Sequence, residues 1–307
     1  MLSVPPQWQA SRLAWSRLIH PRPVLVTISD AAVSFCWRDG GQSMFRSVPW
    51  PEGACRDGSP THREAIGELI ADLLFDLDLP GAELVLSLPP AAAQWRVVDG
   101  LSADGFTTEA SNRDLLGSVD VPFNLEESYL LTTAIQDSVA VAGIKRSLLR
   151  AWIDVVEIAD LPLRRITWSL TDAHRALIKI TQDWRGDLAW LLVHDGRMRL
   201  ILMRDRTPEV DYIVSTIDFE SCCAEARACL LAWQKTLNVT SPLGWWFTLD
   251  HAPDCDWHQI VDAAAGEQIL NKPLPWTPEP WAEPSDENGV GPLAHLAWMA
   301  LHEEESW

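Results

Sequence analysis

The sequence predicts an α/β protein of two lobes that share the order βββαβ, with a small α+β subdomain inserted in the first. Three observations carry this. The 307 residues suit two compact units at about 100–200 residues each. Short apolar runs bounded by turn residues are followed by one long helical period, first over 24–88 and again over 187–249. Each element of the second copy follows its counterpart by about 160 residues, as a duplicated supersecondary unit requires.

The elements follow in order. Residues 24–30 (VLVTISD), 32–37 (AVSFCW) and 43–48 (SMFRSV), with the turn Asp39-Gly40-Gly41, read as a three-stranded meander. Thr61, with Glu64 three residues on, forms a capping box before a helix whose Ile66, Leu69, Ile70, Leu73, Leu74 and Leu77 recur at helical spacing. The strand 83–88 (ELVLSL), closed by Pro89-Pro90, comes after a helix and is expected to lie parallel to an earlier strand. In the second copy the meander is 187–194, 197–203 and 210–215, with turns at Asp195-Gly196 and around Pro208; a helix over about 219–237 and a strand at 244–249 complete it.

Between the copies, strands at 94–98, 129–136 and 138–145 and helices at 111–119 and 148–158 precede a strand at 165–170. Residues 271–292 carry six prolines and four acids and read as a surface loop, because proline suits neither a helix interior nor a central strand. A packed helix over 292–302 ends the chain's apolar pattern. The predicted divisions are an N-terminal segment 1–22, a first lobe 23–91, an inserted subdomain 92–163, a second lobe 164–270, an acidic proline-rich loop 271–291 and a terminal helix and tail 292–307.

Composition narrows the function. Lys and Arg total 24 against 43 Asp and Glu, a net charge of −19, which repels phosphate backbones and argues against nucleic acid as a partner. No apolar run approaches the ~18–20 residues of a membrane span, and the start lacks the apolar core of a secretion signal, so a cytoplasmic address is expected. Cys36, Cys55, Cys222, Cys223, Cys229 and Cys255 form no CxxC pair and read as reduced thiols. Seventeen Trp stand against two Tyr and seven Phe; they read as core and rim residues, with an aromatic binding surface as the alternative.

Catalytic motifs are absent: no GxSxG, HExxH or GxxxxGK[ST] occurs. His251, Asp254, Asp256 and His258 cluster, but Pro253 breaks the helix that would align them, and a plain loop is the expected reading. Residues 8–19 place Trp8, Trp15, Leu18 and Ile19 at near-helical spacing beside Arg12 and Arg17. Such a helix either packs on the first lobe or lies on an anionic membrane surface.

A duplicated βββαβ pair resembles the actin-like (ribonuclease H-like) superfamily, and three stretches are similar to its PilM-like members of type IV pilus assembly. The first is 84–89 followed by Trp95-Arg96-Val97-Val98. The second, Val121-Pro122-Phe123-Asn124-Leu125-Glu126-Glu127, is similar to Ile-Pro-Phe-x-Leu-Glu-Glu of the family. The third is the strand 139–146, its following helix and Leu161-Pro162-Leu163. The resemblance covers about residues 24–301 and implies a scaffold that grips the cytoplasmic N-terminal segment of a PilN-like membrane protein, with other pilus assembly components, at the cytoplasmic side of the inner membrane. The implied partner-binding residues are Pro89, Arg96, Val98, Pro122 and Phe123; plain subdomain packing is the competing reading for each.

Departures from the family pattern bear on chemistry. Actin-like ATPases use glycines in two loops so that backbone N–H groups approach the phosphates, with an Asp nearby for Mg²⁺. Here the first loop reads Ile28-Ser29-Asp30-Ala31-Ala32, without glycine. The second reads Val193-His194-Asp195-Gly196-Arg197-Met198-Arg199, with one. The adenosine-side Gly-Gly is replaced by Leu249-Asp250-His251-Ala252-Pro253, and the second lobe has no room for the family's insertion before its helix. Ser29, Asp30, Asp195 and Gly196 therefore read as vestigial phosphate loops, and the expectation is a pseudo-ATPase with no catalytic residue, metal or cofactor. The alternative is an active ATPase or sugar kinase using Mg-ATP, with Asp30, Asp195 and Asp250 holding Mg²⁺ and Asp187 orienting water.

Overall fold

The computed structural model describes residues 22–79, 81–99, 109–117, 119–135, 138–214, 218–237, 243–250, 271–273 and 290–305. The first meander is β1 (Pro23–Ile28), β2 (Ala32–Asp39) and β3 (Gln42–Pro49), turned between β2 and β3 by Gly40 and Gly41, both at positive φ. A minimal hairpin, β4 (Cys55–Arg56) and β5 (Ser59–Pro60), leads to α1 (Arg63–Asp76) and β6 (Glu83–Leu88). A 3₁₀ turn, Pro90–Ala92, opens into β7 (Ala93–Asp99), α2 (Glu109–Leu116), β8 (Ser128–Ile135) and β9 (Ser138–Lys145). Then come α3 (Arg146–Ile158), β10 (Leu163–Trp168) and α4 (Ser169–Ile180). The second lobe is β11 (Asp187–His194), β12 (Arg197–Arg204), β13 (Thr207–Ile213), α5 (Phe219–Leu237), β14 (Leu243–Leu249) and β15 (Asn271–Pro273), and α6 (Pro292–Glu305) follows.

The two large sheets have the same order, β3-β2-β1-β6-β10 and β13-β12-β11-β14-β15. In each, an antiparallel meander continues into two parallel strands. Each lobe is thus one strand richer than βββαβ. β10 runs parallel to β6, so the strand expected at the head of the second lobe completes the first sheet. The helix placed in the inserted subdomain, α3, packs on α1 of the first lobe. What remains of the insertion is the sheet β7-β9-β8 with α2. In the proline-rich stretch, Asn271–Pro273 is a strand after all, at a sheet edge, where a missing N–H costs little. Pro208 likewise lies inside edge strand β13, and the turn before it is Asp205-Arg206, both at positive φ. Only residues 214–218 separate β13 from α5.

Packing explains the apolar terminal helix. One face of the first sheet packs on α1 and α3 through Val24, Val26 and Phe35 against Ile66, Ile70, Leu74, Trp152 and Val155. The other face sets Leu25, Cys36 and Val85 against Ala294, Ala297, Trp298 and Leu301 of α6. The opposite flank of α6, Leu293, Leu296 and Met299, joins the core that also holds Trp190, Ile201 and Trp246 of the second lobe. A helix sandwiched in this way must be apolar all round. α5 covers the far face of the second sheet.

The capping box does not form. Thr61 Oγ1 donates to the Ala54 carbonyl at 2.8 Å, and α1 starts after His62 with no side-chain cap. Among the Trp residues, core packing is the outcome for Trp50, Trp152, Trp168, Trp190 and Trp298, whose indole N–H groups donate to Ser29, Gly58 and Pro89 carbonyls, Thr248 Oγ1 and Ser43 Oγ respectively. Cys36, Cys55 and Cys222 are buried. The N-terminal helix of residues 8–19 and the His251–His258 cluster lie outside the described residues.

Candidate functional site

Duplication brings the β1–β2 and β11–β12 turns face to face between the lobes. The Asp195-Gly196 turn has both residues at positive φ, as a two-residue hairpin demands. It presents the Asp195 carboxylate to the first lobe, and Asp30 donates its backbone N–H to Asp195 Oδ2 at 2.9 Å. The Asp30 carboxylate turns the other way and accepts the N–H groups of Asp57 and Gly58 at 2.8 and 2.7 Å. Cys55 Sγ lies 3.8 Å from it; burial first, then Asp30 and Asp195, push that thiol's pKa up.

His194 sits between two carboxylates. Its Nδ1 hydrogen-bonds Asp250 Oδ2 at 3.2 Å, and its Nε2 lies 3.3 Å from Asp195 Oδ2, out of hydrogen-bond alignment. Burial opposes the charge on this ring, but the hydrogen bond and charge of Asp250, with Asp195 and Asp30 beyond, outweigh it and raise the pKa. Asp250 is packed against Gly291 at the start of α6, where any Cβ would overlap its carboxylate. The space left between the turns is a cavity of about 30 Å³, lined by Thr27, Ser29, Ser34, Ser169, His194 and Asp250 among others. Strand register aligns Thr167, Ser87, Thr27, Ser34 and Ser47 in one hydroxyl row across the first sheet beside it. No group of three or more His, Cys, Asp or Glu among the described residues has the arrangement of a metal site. Asp187, at the opposite end of β11 from His194, faces none of this; burial raises its pKa.

Two larger concavities flank the inserted subdomain. A groove of about 700 Å³ runs between the first lobe and the subdomain; Pro122, Phe123 and Gly143 line one side, Leu148 and Ala151 of α3 another, and Asp57, Arg63 and Arg197 stand at it. A second, of about 480 Å³, separates β7 from β13 and is lined by Trp95, Arg96, Pro122 and Pro208 among others. The expected partner-binding residues therefore divide. Pro122 and Phe123 line the larger groove; Arg96 lines the smaller, paired with Asp120 at 3.1 Å. Pro89 and Val98 line neither. Pro89 is buried, accepting the Trp168 indole N–H through its carbonyl and packing against Gly58. Val98 packs against the subdomain's own core of Leu116, Val139 and Val141. Asp57, Gly58 and Arg197, which tie the turns to the groove, were missed as site residues; the Asp57-Gly58 dipeptide was their sequence signal.

No family profile matches the chain, and no curated protein matches it. Among solved structures, the PilM-PilN type IV pilus biogenesis complex is similar with a TM-score of 0.67 at 16% identity, over 92% of this chain and 98% of that one. The cytoplasmic domain of EpsL, an inner membrane component of the type II secretion system of Vibrio cholerae, gives 0.54 at 12% identity over 92% and 95%. A Bacteroides thetaiotaomicron protein of actin-like ATPase fold and unknown function gives 0.54 at 9% identity over 91% and 95%. The fold is actin-like, with duplicated α/β lobes, and its resemblance to PilM extends over nearly the whole described chain.

Proposed function

We propose that this protein is a scaffold of a pilus- or secretion-type assembly machine, that it takes the cytoplasmic N-terminal peptide of a PilN-like membrane protein into the groove beside Phe123, and that it has given up nucleotide. The observation that carries the reading is the 700 Å³ groove, in a fold similar to that of the PilM-PilN type IV pilus biogenesis complex. Its mixed lining, with Phe123 and Leu148 beside Gln94, Asn124 and Lys145, suits an extended segment held by main-chain hydrogen bonds and side-chain pockets. No helix among the described residues is long and apolar enough to cross a membrane.

Calorimetric titration with a synthetic peptide of that N-terminal segment tests the reading. Binding in the tens of micromolar or tighter is expected; none at that concentration removes it. A Cβ at Gly143 would overlap the Phe123 ring, so Gly143→Ala should displace the ring and weaken peptide binding by about tenfold, ~1.4 kcal/mol. Phe75→Ser, at an exposed position outside the groove, should leave the affinity alone.

Loss of nucleotide is supported by what fills the cleft. The Asp195 carboxylate occupies the Asp30 N–H, and a 30 Å³ cavity holds about one or two waters rather than a triphosphate. Mg-ATP should therefore show no binding tighter than millimolar by calorimetry. A tighter constant would favour the kinase or ATPase reading, with Asp30, Asp195 and Asp250 as its metal ligands.

A further inference from the structure

The β4–β5 hairpin contacts the β1–β2 turn, the second lobe and α3 at once. Its Asp57 and Gly58 N–H groups hold the Asp30 carboxylate, and the Asp57 carboxylate pairs with Arg197 of the second lobe. The Gly58 carbonyl accepts the Trp152 indole N–H at 2.9 Å, and Trp152 belongs to α3, whose Leu148 and Ala151 are groove wall. Gly58 also lies against Pro89, the residue before the turn that leads to groove residues Ala92 to Gln94. A Cβ there would strike Pro89 at 2.7 Å, so the packing leaves no slack.

The second lobe reaches this hairpin by two routes from a single turn. Asp195 acts through Asp30, and Arg197, two residues on, acts directly on Asp57. We propose that the β11–β12 turn is a built-in ligand: the Asp195 carboxylate holds the lobes closed as a bound anion would, and through the β4–β5 hairpin this closure fixes the shape of the peptide groove. Because the anion is part of the chain, the groove is set without a diffusible effector. The two sites are coupled by a continuous set of hydrogen bonds, and the coupling is reciprocal, so peptide in the groove also tightens the interlobe contact. The inference rests on the groove being the partner site, but only for its binding consequence.

Asp195 does not line the groove, which makes it the informative position. Asp195→Gly removes the carboxylate while keeping a residue suited to positive φ. Amide hydrogen exchange on the full chain is expected to rise at 28–32, and also at 55–60 and over the α3 wall, 147–151. Affinity for the PilN-like peptide should fall by about tenfold or more. Exchange that rises only at the two turns, or an unchanged affinity, overturns the proposal. Arg197→Gln, at a site whose side chain is 52% exposed and so should fold, itself lines the groove, so exchange alone is its readout: it should rise at 55–60 and over 147–151, and a rise confined to 55–60 counts against the coupling. A wild-type chain that ignores the peptide removes the scaffold reading, and the spread of exchange to the groove wall then decides the coupling by itself.

Discussion

Arg199→Met should destabilise the protein by about 3–5 kcal/mol, the cost of leaving one member of a buried ion pair unmatched. Arg199, on β12 of the second lobe, makes a two-pronged contact with Asp211, both N···O distances being 2.6 Å, and both side chains are largely buried. Its remaining Nη1 donates to the Pro90 carbonyl at 2.9 Å, in the turn between first lobe and subdomain, and its guanidinium lies 5.6 Å from the Trp168 ring centre. One side chain therefore joins the second lobe to strand β10 of the first sheet and to the turn that leads into the subdomain. Trp168 in turn meets Trp95 of β7 edge-on at 5.7 Å, and Trp95 meets His174 of α4. Burial lowers the His174 pKa to about 4, so its neutral ring donates Nε2–H to the Arg206 carbonyl at 3.1 Å. Urea unfolding checks the number. The double variant Arg199→Met/Asp211→Leu should recover most of the loss, because replacing both charges removes the unmatched one. If the double variant is as unstable as the single, the pair itself is not what holds the junction.

The pin at Arg199 could not be read from the sequence, where it is one arginine in a strand, and its partner Asp211 lies in the next strand. Local features were legible for a physical reason. Gly40-Gly41 and Asp195-Gly196 are residues that tolerate positive φ, and they mark hairpins wherever they fall between apolar runs. The helical period of Ile66, Ile70 and Leu74 and the apolar run of β6 are equally local. Ownership of an element is not local. β10 carries the same half-apolar pattern whichever sheet receives it, and only its pairing with β6 assigns it. α3 has an apolar face that fits a subdomain or a lobe, and Trp152 and Val155 settle it by packing on the first-lobe core. The β4–β5 hairpin has two residues per strand, too few for any period, though its Asp57-Gly58 turn was visible. For the candidate site, the sequence places Asp30 and Asp195 in the turns of the two meanders, as vestigial phosphate loops. That they would bond to each other, backbone to carboxylate, needed the duplicated sheets to be placed. Pro89 and Val98 show the converse: alternation along β7 puts Val98 over Val139 and Val141, while Pro89 is fixed by Trp168.

The second large effect concerns His194 and has a pH signature. Asp250 and Asp195 are both buried beside it, with Asp30 beyond and the α6 residue His295 on the far side of Asp250. Burial lowers the His295 pKa to about 4, so that ring is neutral and brings no positive charge. His194→Gln removes the ring that bonds Asp250 and lies beside Asp195, and should destabilise the protein by about 3–5 kcal/mol. Its folded pKa is raised above the unfolded value of about 6.5, so the charged form is favoured by folding. The stabilisation it contributes is complete below about pH 6.5 and is lost as pH rises through the folded value. Urea midpoints of the wild-type chain should therefore fall more steeply above about pH 6.5 than those of His194→Gln. Asp250→Asn removes the carboxylate hydrogen-bonded to the ring and should move the wild-type fall to lower pH, because the folded pKa drops toward its ordinary value. A wild-type midpoint that is constant from about pH 6 upward would mean that the ring is neutral at the junction.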